Sequence, residues 1–95
     1  MTIPVPVEQD LWVVAACFNE KAVITRFIER VLAQSEVSHL LLIDDGSSDS
    51  TVSVIRAWQQ RHPDQAVTLL ELTRNFGKEA AMLAGLDYAN GRCAA

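Results

Sequence analysis

The sequence predicts an α/β fold in which strands and helices alternate and the strands run parallel. Three observations lead there. Three apolar runs of strand length recur along the 95 residues, a segment with helical spacing of its apolar side chains follows each run, and small polar residues join the two. The composition, 49% hydrophobic and 21% charged, supplies enough apolar surface for one core. Small domains of this kind bury only about 60–65% of the unfolded chain's surface.

Residues 1–10, MTIPVPVEQD, are punctuated by two prolines and read as a leader. LWVVAACF, residues 11–18, is a continuous apolar run, as expected for a strand buried on both faces. From Glu20 the pattern changes: Val23 and Ile24, Phe27 and Ile28, Val31 and Leu32 recur on one helical face, and Glu20, Lys21, Arg26, Glu29 and Arg30 take the other. That helix ends within residues 34–38, and residues 40–43 form a second strand. Asp49 or Ser48 is placed to cap the next helix, whose apolar side is Val52, Ile55 and Trp58 and which stops before Pro63. AVTLLEL, residues 66–72, is a third strand. FGKEAAMLAGLDYANG, residues 76–91, is a helix closed by Asn90 and Gly91 in C-cap positions. The order is βαβαβα, a Rossmann-like parallel sheet with right-handed crossovers.

Parallel strands send all their C-termini to one edge, which is where open α/β sheets bind ligands. The loops at residues 18–20, 44–49 and 73–78 emerge there and carry the densest polar chemistry. In LLLIDDGSSDST, Asp44 and Asp45 end an apolar strand side by side. Like charges repel and burial strips their water, so such a pair calls for a partner: a metal ion, an N–H donor on a ligand, or the free amides at the start of the next helix. Turn chemistry alone, with Gly46 in a left-handed conformation, accounts for one aspartate and not two. Gly46, Ser47, Ser48 and Asp49 lead into a helix N-terminus, a geometry that suits anions and ribose hydroxyls; it is neither a Walker A loop nor G-x-G-x-x-G. Glu20 either favours its helix N-terminus electrostatically or contacts a ligand. Arg74 and Lys78 bring two cations to the same edge, with Gly77 permitting close backbone approach. They suit a ligand carrying phosphates together with hydrogen-bond donors, or else belong to a solvated turn.

Other residues read as structural. His39 and His62 fall on the opposite edge, Cys17 behaves as a small buried hydrophobe, and Trp12, Trp58 and Met82 belong to the core. The net charge of -4, with the basic residues scattered, argues against a nucleic-acid surface. Cys17 and Cys93 form no C-x-x-C, so neither a metal nor a redox motif is signalled, and a reduced cytoplasmic setting is expected. The N-terminus lacks the features of a signal peptide, and the apolar run at residues 11–18 is far short of the ~20 residues a spanning helix needs.

Taken together, VVAACFNE, LLLIDDGSSDST and LTRNFGKEAAMLAGLDYANG, in this order and spacing, resemble the N-terminal half of the family 2 glycosyltransferases of GT-A fold. Within that family the likeness is to the polyprenyl-phosphate glycosyltransferases, the group of dolichol-phosphate mannosyltransferases and bactoprenol glucosyltransferases. The likeness covers residues 11–91. It implies a nucleotide-diphosphosugar-binding domain over residues 11–95, a UDP- or GDP-sugar donor and inverting transfer of a hexose to a polyprenyl (undecaprenyl or dolichyl) phosphate. Residues matching Phe18 and Glu20 contact the base region in that family. Those matching Asp44 and Asp45, with Gly46 and Ser47 beside them, hold the base N–H and ribose, and Arg74, Gly77 and Lys78 lie near the nucleotide and diphosphate.

Two departures from the family pattern stand out. Where the family commonly has Val-Pro or Ile-Pro before the aromatic-Asn-Glu, this chain has Ala15, Ala16 and Cys17, and the loop loses proline's rigidity. The family's D-x-D motif for Mg or Mn, and its catalytic base, come from segments after the glycine matching Gly91. No D-x-D occurs in NGRCAA or anywhere earlier. The resemblance therefore implies a domain truncated before the D-x-D strand, with no catalytic residue and no metal ligand within it, inactive alone. In a GT-A sheet the strand at residues 11–18 would then have a bare apolar edge, which predicts self-association. Full-length members of the family often sit at the cytoplasmic face of a membrane. Two rival readings are a receiver-like or flavodoxin-like signalling domain, disfavoured because the acidic pair follows the second strand instead of the first, and a non-catalytic or vestigial nucleotide-binding fragment.

Overall fold

A computed structural model describes the backbone of residues 2–7 and 10–93 and the side chains within residues 11–91. Four strands and three helices follow in the order β1 (Thr2–Val7), β2 (Asp10–Cys17), α1 (Ile24–Leu32), β3 (Val37–Asp44), α2 (Thr51–Arg61), β4 (Val67–Glu71) and α3 (Lys78–Cys93). The sheet order is β1-β2-β3-β4; β2, β3 and β4 are mutually parallel and β1 is antiparallel to β2. The expected βαβαβα unit is present, with one strand added in front of it.

The apolar runs are continuous because the sheet is covered on both faces. Alternate residues of a strand point to opposite sides. Val13, Ala15, Cys17, Leu40 and Leu42 pack with Ile24 and Ile28 of α1 and Ile55 and Trp58 of α2. Val14, Leu41 and Ile43 pack with Ala81, Met82 and Ala89 of α3. The residues at positions 40–43 have no exposed surface at all. Helix α3 comes unusually close to the sheet at Gly85: a Cβ there would lie 2.3 Å from Ile43 Cδ1 and 2.8 Å from Val14 Cγ1.

Several expectations are corrected. The segment read as a leader contains β1, which pairs with β2 from Thr2 opposite Ala15 to Val7 opposite Asp10. The β2 edge expected to be bare is therefore paired, which removes the reason given for self-association through it. Helix α1 begins at Ile24 and not Glu20, because Val23 and Ile24 donate to the Glu20 carbonyl in a preceding turn. The first residue of α2 is Thr51, with Ser50 at the N-cap; Asp49 still accepts the Thr51 amide at 2.9 Å. Helix α3 does not close at Asn90 and Gly91 but continues through them to Cys93. Residues 94–95, at the end of the expected domain, lie outside the described residues. Trp12 is only half-buried and stacks on His39, ring centroids 4.0 Å apart, at the opposite edge from the loops.

Candidate functional site

The C-terminal edge is built from the ends of β2, β3 and β4, and the parity of β3 sets its chemistry. Adjacent side chains at a strand end face opposite sides of the sheet. The Asp44 carboxylate lies on the α2 side, where Oδ2 accepts the Ser47 amide at 2.9 Å and Oδ1 accepts the Ser47 hydroxyl at 2.6 Å. The Cys17 thiol is 3.8 Å from the same Oδ1. Asp45 serves the α3 side: Oδ1 accepts the Phe76 amide at 2.8 Å and Oδ2 the Gly77 amide at 3.1 Å. Both aspartates are only 2% exposed, so each carboxylate is held by donors from this chain.

The three loops are tied to one another. Asn19, with φ of 53°, donates its amide to Ser47 Oγ at 2.9 Å, and its side-chain Oδ1 accepts the amides of Ser48 at 2.8 Å and Asp49 at 3.2 Å. The Glu20 amide donates to Thr51 Oγ1 at 2.9 Å, and the Thr51 hydroxyl donates to Asp49. This bonding with Thr51 holds the half-buried Asp49 carboxyl below the usual carboxylate range. Gly46, at φ of 73°, lies so close to the next loop that a Cβ would sit 2.3 Å from the Arg74 carbonyl carbon. Burial first, and then the Asp44 and Glu20 carboxylates, push the Cys17 thiol up from 9.0 to about 12.

A cleft of about 200 Å³ opens between these loops, lined by Ala16, Cys17, Phe18, Glu20, Asp45 and Lys78. Ligand sites span roughly 300–1,000 Å³, so this cleft by itself is smaller than a usual ligand site. Lys78 also lines a shallower groove of about 550 Å³, together with Phe76, Gly77, Glu79 and Ala80, that continues along the start of α3. Phe18 and Phe76 are 40% and 47% exposed, two aromatic faces left in solvent at the rim. The Arg74 guanidinium lies over the Phe76 ring at 4.5 Å.

Of the nine expected site residues, Phe18, Glu20, Asp45 and Lys78 meet in the cleft and Gly77 lines the adjoining groove. Asp44, Gly46, Ser47 and Arg74 stand behind or beside it; none lines either hollow. Sequence reasoning assigned no site role to Asn19 or Thr51, which organise the loops. Asn19 at a strand end, a residue that tolerates positive φ, was the one available signal. Among the described residues, no three of His, Cys, Asp or Glu come together to hold a metal ion, so the residues present do not fit the divalent metal that the resemblance implies. No helix of the described residues is long and apolar enough to cross a membrane.

A cleft at the strand C-termini, rimmed by a helix N-terminus, lies where open α/β sheets bind ligands. The family model for glycosyl transferase family 2 matches residues 12–95, and the chain belongs to that family. Dodecaprenyl-phosphate galacturonate synthase of Rhizobium johnstonii is 42% identical over 88 residues, 87% of this chain and 25% of that protein. Bactoprenol glucosyl transferase of Shigella phage SfV is 42% identical over 82 residues, 82% of this chain and 26% of that protein. A mannosyltransferase from Pyrobaculum calidifontis, solved in complex with GDP-Man and Mn2+, superposes with a TM-score of 0.73 at 29% identity, covering 79% of this chain and 23% of that one. The chain thus spans about a quarter of the length of the relatives it matches. The expected family and its GT-A architecture stand.

Proposed function

We propose that this chain forms the donor-binding part of a transferase that moves a hexose from a nucleoside diphosphate to a polyprenyl phosphate. The observation that carries the reading is the single rim made by three loops, with Phe18, Glu20, Asp45 and Lys78 converging on one cleft. An aromatic face, carboxylates and a cation are the three chemistries that a base, a ribose and a diphosphate each require. Phe18 and Glu20 receive the base, Asp44 and Asp45 with Gly46 and Ser47 shape the ribose side, and Arg74, Gly77 and Lys78 face the diphosphate. The names of the relatives, a galacturonate synthase and a glucosyl transferase that both work on polyprenyl carriers, support the acceptor class. GDP-Man in the structural neighbour supports the donor class.

In the reaction, an oxygen of the lipid phosphate attacks the anomeric carbon, the bond from that carbon to the diphosphate breaks, and the nucleoside diphosphate departs with the electron pair. A single displacement inverts the anomeric centre. The residues of this chain bind and orient the donor; groups elsewhere in a longer protein perform the displacement. Titration calorimetry with UDP-glucose, UDP-N-acetylglucosamine and GDP-mannose tests the binding. One of them should bind, and Lys78→Ala should weaken it by about tenfold; if none binds, the reading fails. With Mg2+ or Mn2+ and a polyprenyl phosphate present, the 95-residue chain should transfer no sugar, and measurable transfer would overturn its inactivity.

A further inference from the structure

We infer that Asn19 is a positioning residue for the Asp44 carboxylate, acting through the loop at residues 47–49; this rests on the donor-binding reading. Asp44 is 2% exposed and both its oxygens are engaged by Ser47. Ser47 is therefore the main group that sets how the carboxylate is presented, with the Cys17 thiol 3.8 Å from Oδ1, and a residue outside this loop holds Ser47 in turn. Asn19 does so from the loop after β2, 28 residues away in sequence, with its backbone amide on Ser47 Oγ at 2.9 Å. That hydroxyl then has one of its two lone pairs occupied and its proton directed at Asp44 Oδ1.

The Asn19 side chain completes the hold. Oδ1 takes the Ser48 amide at 2.8 Å and the Asp49 amide at 3.2 Å, with the Ser48 hydroxyl at 3.4 Å. One oxygen thus gathers the donors that precede α2 and fixes the loop while its own backbone sits at φ of 53°. Few side chains fit both demands, since the position needs a short side-chain acceptor and a residue tolerant of the left-handed region. Through this relay the loop after β2 sets the orientation of a carboxylate at the end of β3.

Three variants separate the parts. Asn19→Gly keeps the backbone conformation and loses the acceptor; Asn19→Asp keeps both; Ser47→Ala removes the hydroxyl that joins the Asn19 amide to Asp44 Oδ1 and leaves the Ser47 amide on Oδ2. By amide hydrogen exchange, Asn19→Gly should speed the Ser48 and Asp49 amides by about tenfold. It should also speed the Ser47 amide, which bonds Asp44 and makes no contact with the Asn19 side chain. An unchanged Ser47 amide overturns the relay. With UDP-glucose or GDP-mannose as probe, Asn19→Gly should weaken binding by about tenfold, Asn19→Asp should restore it to within about threefold, and Asn19→Gly should weaken binding less in the Ser47→Ala background than in the unmodified chain. Full additivity in that background, or no rescue by Asn19→Asp, overturns the inference. If neither probe nor UDP-N-acetylglucosamine binds the unmodified chain, the donor-binding reading fails, and the exchange of the Ser47 amide still decides the relay.

Discussion

Asp44 and Asp45 are neighbours in sequence whose carboxylates serve opposite faces of the sheet, one gripping Ser47 and the other the amides of Phe76 and Gly77. The apparent conflict of two like charges side by side is relieved by strand geometry, which turns adjacent side chains apart. Each then meets backbone N–H donors where a loop begins. The pair works as two staples that fasten the loops after β3 and β4.

Asp45→Asn should loosen the second staple. An amide offers one acceptor oxygen, and its NH2 would face a backbone donor, so one part-buried N–H loses its partner. The expected loss is about 1–3 kcal/mol of stability, read by urea denaturation. Faster exchange of the Phe76 and Gly77 amides should accompany it. Equal stability and unchanged exchange would show that the carboxylate does not hold this loop.

Gly46→Ala and Gly77→Ala should differ. Both positions have positive φ, 73° and 99°, but a Cβ at Gly46 would run into the backbone of Arg74 and Asn75, whereas at Gly77 nothing lies within 4 Å. The Gly77 variant should lose only the backbone cost, about 1–2 kcal/mol. The Gly46 variant must also push the two loops apart, and should lose more stability and more donor affinity in the same titrations.

Gly85→Ala should overpack the α3 interface by about 1–3 kcal/mol. The nearest atom, 2.3 Å from the added Cβ, is Cδ1 of Ile43. Adding Ile43→Val removes that methyl group and should recover part of the loss. Additive losses in thermal or urea unfolding would mean that α3 does not rest where this contact places it.

Cys17 should make stability fall at alkaline pH. Its folded-state pKa is raised from 9.0 to about 12. Below pH 9.0 the thiol is protonated folded or unfolded, and its contribution is fully present. As pH rises from there toward 12, the unfolded chain ionises first and the contribution is lost. Urea midpoints of the chain and of Cys17→Ala should therefore diverge as pH rises from 9.0 toward about 12, the unmodified chain losing more; parallel curves would count against the shift. The same protonated, 5% exposed thiol should resist iodoacetamide until the chain unfolds.

Much of this was legible from the chain itself. The run at residues 40–43 reads as a strand buried on both sides, and helical spacing at Ile24 and Ile28 or Ile55 and Trp58 reads as helix, because both patterns follow from which side chains are buried. The three loops converge because parallel strands leave them no alternative. What stayed hidden depended on partners that composition does not mark. Asp45 finds its donors 31 and 32 residues away, and they are backbone amides, common to nearly all residue types. Gly91 reads as a helix stop, yet it lies within α3 with nothing within 4 Å of its would-be Cβ. Thr2–Val7 escaped notice because Pro4 and Pro6 weaken a strand pattern.

Those two prolines also decide what the sheet can grow into. The Cys17 carbonyl accepts the Asp45 amide and the Leu11 carbonyl accepts the Ser38 hydroxyl, so the odd-numbered residues of β2 address β3 and the even-numbered ones address β1. Trp12 pairs with Val5 and Val14 with Ile3, which turns the backbone nitrogens of Pro4 and Pro6 outward, where a further strand would look for protons to share. Neither has one to offer. An incoming chain therefore meets a rim half stripped of donors at this end, and the β4 side is left as the better-equipped margin for extending the ribbon.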